Sequence, residues 1–285
     1  MKYQITRIAA IVMMVVFFVS CGSAPRQVNS AGKAPVIASA ETTQPPKQKP
    51  YRSLRDVNRG LAEWEEYFAQ RNEPQAAFFT AYIEITKTLI LWINNAKFND
   101  DSEVTRYIVA FAEEGHKGIF SYCSGGSCPQ SWRNFGEENG GEDSDITTSL
   151  LLGINAHINR DLVYAVLSAA IDTSLESSRI DHERITDALI EAAPEIRSQI
   201  TQRYQPGKLW VNRMFGWYID HELRRVFGIS RNRAWKNAIR LKSARTKAER
   251  EKIELEIEQR SAEIARRIIA LEGKYAQQLW AIASP

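Results

Sequence analysis

Four polar side chains recur at every second position inside the apolar run LLGINAHINRDLVYAV (151–166): Asn155, His157, Asn159 and Asp161. Burying such groups without partners costs roughly 1–3 kcal/mol each, so they need a structural or chemical reason to be there. On a helix each residue advances about 100°. Asn155 and Asn159 then share one side of the helix, and His157 and Asp161 share another. The asparagines point into packing, where they mark register or contact a ligand. A carboxylate four residues after a histidine accepts from one ring nitrogen and fixes the tautomer of the other. The second nitrogen is then free to act as a base, a ligand donor or a metal ligand. A satisfied polar network that pins helix register uses the same residues.

Other candidates are thinner. His221, in Asp220-His221-Glu222, shares a helix face with Trp210, Met214 and Trp217 and is placed toward the core. Helix order sets Arg106 and Tyr107 beside a central cavity. These three residues join Asn155 and Asn159 as candidate ligand contacts, with His157 and Asp161 as the candidate catalytic pair. Asp181-His182-Glu183 reads as a charge cluster at a helix start, where acids suit the helix dipole. His116 reads as an ordinary histidine at a helix end. The sequence contains no HExxH, GxSxG, P-loop or GxGxxG motif, so no cofactor is indicated.

The elements that position these residues are helical nearly throughout. Ser53-x-x-Asp56 opens a helix with Leu54, Val57, Leu61, Trp64 and Phe68 at spacings of three and four. Pro74 suits the first turn of the next, and Ser102 is placed as the cap of a third. Residues 121–146, acidic and glycine-rich, read as an irregular insertion. A helix follows in 183–203, started or interrupted by Pro194. Two more are expected in 208–227 and 231–242, the second capped by Ser230. Thr246-x-x-Glu249 is a capping box. Beyond it, apolar residues from Ile253 to Ile282 recur near the helical period. The expectation is an all-α protein: one helical bundle over 51–242 and a long amphipathic helix over 243–285, without a substantial sheet. That last helix packs on the domain or mediates self-association.

The front of the chain is of another kind. Lys2 and Arg7 precede the apolar stretch Ile8–Val19, which is of secretory length and short for a membrane span. Phe18-Val19-Ser20-Cys21 resembles a bacterial lipobox. The expected reading is a signal over 1–20 and an acylated Cys21 that engages a lipid bilayer. Residues 21–50, rich in Ser, Ala, Pro and Thr, bury too little to offset their ordering entropy and suit a flexible tether. Gly22 in place of Asp favours the periplasmic face of the outer membrane if the cell is Gram-negative. Without residues 1–20 the formal charge falls from +3 to about +1, which gives no reason to expect a nucleic-acid partner. Cys123 and Cys128 in YCSGGSCPQ are expected to close a disulfide outside the cytoplasm.

The stretch GINAHINRDL is similar to the signature of an uncharacterised bacterial helical family, domain of unknown function family 5995. AFFTAYIEITKTL, TRYIVAF and RNRAWKNAIRL resemble further segments of that family, in order. The resemblance spans about residues 75–240. It implies a helical fold and brings no activity. The domain therefore reads as a small-ligand-binding or structural envelope protein, or alternatively as a hydrolase or metal-dependent enzyme using His157 and Asp161.

Overall fold

The computed structural model describes residues 44–47, 49–137, 146–204 and 209–283, with backbone alone at 209–220, 222 and 271–283. The signal, Cys21 and the tether up to residue 43 lie outside the described residues, as do 138–145 of the acidic stretch.

Helix α1 (Leu54–Ala69) starts where the Ser53 hydroxyl accepts from the Asp56 amide, and it buries Val57, Leu61, Trp64 and Phe68. Its apolar spacing thus becomes its core face. Helix α2 (Ala76–Asn94) follows Pro74 and buries every residue from Ala76 to Tyr82. It is long and apolar enough to cross a membrane by length and composition, and 56% of that apolar window is buried inside the bundle, with Leu91 exposed. Helix α3 (Asp101–Cys123) is capped by Asp100, whose carboxylate accepts from Glu103, rather than by Ser102.

Residues 121–146 are not irregular throughout. Gln130–Glu137 forms helix α4, which buries Trp132 and Phe135. Its apolar spacing was hidden among glycines and acids. The opening motif then runs through helix α5 (Ile146–Ala156), a π-turn (His157–Asp161) and helix α6 (Leu162–Ser168). The amide of Leu162 reaches back to the carbonyl of His157, one residue farther than in an α-helix.

Helix α7 (Glu176–Tyr204) begins earlier than expected and carries Pro194 within it. Helix α8 (Leu209–Ser243) is continuous through Ser230, where two helices were expected. Ser230 is helix interior because no proline or glycine follows to stop the turn. Helix α9 (Lys247–Ala283) has the expected capping box. The Thr246 hydroxyl accepts from the Glu249 amide, and the Glu249 carboxylate accepts from the Thr246 amide.

The fold is all-α, with no strand among the described residues. The α5–π–α6 segment lies at its centre and packs against α2, α3, α4, α8 and α9. One core cluster gathers around Leu162, Val163 and Val166. A second, rich in aromatic rings, gathers around Trp64, Phe68, Phe79 and Phe135. The motif therefore spans both cores, and its polar groups are placed between them.

Candidate functional site

His157 and Asp161 are both buried, at 4% and 0% exposure. The His157 Nδ1 lies 3.1 Å from Asp161 Oδ2. That same oxygen accepts from Trp132 Nε1 at 2.9 Å, and Oδ1 accepts from Arg160 at 2.7 Å. Arg160 also donates to Glu258 on α9 at 2.6 Å. Indole N–H and guanidinium groups only donate, so Asp161 serves them as an accepting carboxylate. His157 therefore donates from Nδ1, and its Nε2 presents a lone pair. Burial pushes the His157 pKa below the ordinary imidazole value, against the opposing pull of Asp161, so the ring is neutral.

Aromatic side chains fix the ring. Phe111 stacks on it at 3.6 Å between centroids, and Tyr82 lies at 4.7 Å. Gly115 supplies the closest approach: a Cβ there would lie 2.8 Å from Cε1 of His157. The neighbouring His116 is also buried. It sits inside α3, not at a helix end. Its Nδ1 is 2.7 Å from the Tyr51 hydroxyl and 3.2 Å from Trp64 Nε1. Since the indole only donates, Nδ1 of His116 is an acceptor and its proton sits on Nε2. Burial pushes this imidazole down to about 4.

A cavity of about 10 Å³ lies between the two histidines, also lined by Tyr51, Trp64, Tyr82 and Trp132. Tyr51 alone among its lining residues is not fully buried. Three of its lining residues keep a buried polar atom without a protein partner, namely Nε2 of His116, Nε2 of His157 and the hydroxyl of Tyr82, while the surface that the cavity itself exposes is apolar.

The two asparagines have another task. Asn155 donates to the Ser261 carbonyl of α9 at 3.0 Å and accepts from Asn159 at 3.1 Å. They tie the motif to the last helix, as a register device would. Arg106 is exposed and bonds Ser102 on its own helix, so it does not reach the cavity. Tyr107 is buried elsewhere: its hydroxyl lies 2.8 Å from His182 Nδ1. His221 is exposed rather than turned to the core, while the side chains of Trp210, Met214 and Trp217 lie outside the described residues.

Asp181 and His182 are not a solvated helix start. Both are buried. Asp181 accepts from the amides of Asn99 and Asp100, and His182 meets the buried Arg231. The expected disulfide is not formed: Cys123 and Cys128 are free thiols. Cys123 ends α3 with its side chain against the aromatic core and Tyr67, and burial pushes its thiol up to about 12.

Trp132, Arg160, Tyr82, Tyr51 and His116 were missed as site residues. Only Arg160 had a signal, through its place inside the motif. As for a metal, no group of three or more His, Cys, Asp or Glu among the described residues is arranged to hold one. The proton on His116 Nε2 also withholds that nitrogen from coordination.

The model of a family of unknown function, DUF5995, matches residues 54–271. That span begins at α1 and takes in most of α9, so it is wider than the segment of about 75–240 over which the motifs resemble the family. No curated protein and no solved structure matches the chain.

Proposed function

The chain belongs to the DUF5995 family, whose function is unknown, and we propose that it is a lipid-anchored cell-envelope protein whose helical domain holds a small polar ligand between His116 and His157. One observation carries the ligand: three residues that line a single small cavity, His116, His157 and Tyr82, each keep a buried polar atom without a protein partner. A core that served packing alone would satisfy such groups or replace them, because each costs about 1–3 kcal/mol. The lipobox-like Phe18-Val19-Ser20-Cys21 and the tether after it support the anchor.

Two measurements test the proposal in cells. An alkyne analogue of palmitate should label the full chain and fail to label Cys21→Ser; equal labelling of both rejects the anchor. Mass spectrometry of small molecules released on denaturing the purified chain should find a ligand that His157→Gln retains poorly. Extracts with nothing above background reject ligand binding.

A second reading, a hydrolase, rests on the Asp161–His157 pair. It leaves Nε2 as an oriented neutral base, an arrangement that suits general-base chemistry.

A further inference from the structure

Among the residues that line the cavity, Tyr51 is the one that the chain can withdraw. It lies outside the helices, ahead of the Ser53 cap of α1, and Lys49 and Pro50 before it are exposed. Its ring is only half-buried. Its amide donates to Glu113 Oε1 at 3.0 Å, and its hydroxyl donates to His116 Nδ1 at 2.7 Å, both on α3. Arg52, the next residue, is fixed separately: its amide donates to Asp56 Oδ2 at 3.2 Å. Tyr51 can therefore leave without unwinding α1.

The place it fills is shaped for a phenol. The hydroxyl end lies over Gly60, inside α1, where a Cβ would come within 2.3 Å of the hydroxyl oxygen and 2.7 Å of Cζ. Glycine weakens a helix interior, and here its missing side chain answers a close approach. The ring meets His116 edge to face, with centroids 5.6 Å apart. Around it the cavity exposes apolar surface, which suits an aromatic ring. One polar demand remains. His116 Nδ1 accepts from Trp64 and from Tyr51, so an occupant of this place must donate to it. A carbonyl or a carboxylate does not donate. A phenol supplies both the ring and the donor. Burial, with Glu63 and Glu113 nearby, pushes the Tyr51 pKa up, so this phenol stays a neutral donor.

We propose that Tyr51 is a withdrawable plug, and that the slot it vacates between Gly60 and His116 binds the phenol ring of a small molecule. The hydroxyl of the guest takes over the bond to His116 Nδ1, while Tyr51 swings out with the segment before it. Guest and Tyr51 thus compete for one place. This rests on the ligand-site reading above for the cavity at His116, and it names the class of guest.

The probe is p-cresol, the tyrosine side chain as a free molecule. It is titrated calorimetrically into the full chain in detergent micelles, with affinities referred to the probe concentration free in water. The wild type should bind it weakly. Tyr51→Ala should bind it about tenfold more tightly or better, because the competitor is gone. Tyr51→Phe keeps the ring but loses the bond to His116, and it should fall between the two. Adding Gly60→Ala to Tyr51→Ala should weaken binding about tenfold or more, because the new Cβ occupies the place of the hydroxyl. Toluene cannot donate, so it should bind Tyr51→Ala about tenfold less well than p-cresol.

Wild type and Tyr51→Phe that both fail to bind p-cresol would make Tyr51 a fixed core residue and overturn the proposal. Equal affinities in wild type and Tyr51→Ala overturn it as well. So does an affinity that Gly60→Ala leaves unmoved, or toluene that binds as tightly as p-cresol. Tyr51→Phe carries the test if Tyr51→Ala does not fold. Expected p-cresol binding, with no ligand released from the purified chain, upholds the slot and removes the polar-ligand reading. A released ligand that His157→Gln loses, beside no p-cresol binding, does the reverse.

Discussion

At the scale of residues, three of the histidines, two of them at the candidate site, are kept neutral by burial. His116, His157 and His182 are all pushed below the ordinary histidine value, His116 to about 4. The unfolded chain titrates its histidines near 6.5. Between about 4 and 6.5 the unfolded state therefore binds more protons than the folded one, and stability falls as pH drops. The contribution is complete above 6.5 and is lost on descending toward 4. For His116 alone the loss is about 3 kcal/mol. Urea unfolding at pH 7, 6, 5 and 4.5 should show a falling midpoint, with a shallower fall in His116→Gln. A flat profile across that window would refute the assignment of neutral buried imidazoles.

At the scale of elements, helix α3 approaches both the motif and α4 through missing side chains. Gly115 lets α3 lie against His157, and Gly118 lets it lie against Trp132, where a Cβ would come within 2.2 Å of the indole. Neither ring can move freely. His157 is stacked on Phe111 and bonded to Asp161, and Trp132 is bonded to Asp161 as well. Gly115→Ala should destabilise the protein by about 1–3 kcal/mol through overpacking. Gly228→Ala is the control. It also sits in a helix, but its Cβ would meet nothing within 4 Å. There alanine should raise stability by up to about 1 kcal/mol, from helix propensity. Chemical denaturation of the two variants should move the midpoint in opposite directions, and equal shifts would remove the close-approach argument.

At the scale of the whole molecule, α9 is part of the folded unit. It buries Ile253, Ile257, Ala265 and Ile268, and it bonds the motif through Glu258 and the Ser261 carbonyl. Three isoleucines at about 1.5–3 kcal/mol each rival the net stability of a typical domain, ~5–15 kcal/mol. Deleting residues 247–285 should abolish cooperative thermal unfolding measured by circular dichroism. A truncated chain that melts as sharply as the parent would show that α9 is an accessory. As far as Ile268, the apolar stripe is engaged within one chain, although Leu255 and Ile269 on the same helix remain exposed.

The sequence by itself determined most of the helices, the Ser53 and Thr246 caps, the apolar face of α1 and the meeting of His157 with Asp161. Each depends on residues three or four apart, and helical geometry brings those together whatever the rest of the chain does. It also separated the asparagine pair from the His–Asp pair. The tertiary structure decided what those pairs meet. The partner of Asn155 is a carbonyl of α9, and the donor that completes Asp161 is Trp132, from a helix hidden in a glycine-rich stretch. His116, which read as a plain helix-end residue, became half of the cavity because α3 packs on the motif at Gly115. Conversely, Arg106 and His221 kept helical positions but faced outward. Local periodicity encodes which side of a helix is apolar. Which distant polar atoms face one another is set by how the helices dock, and no spacing within a single helix records that.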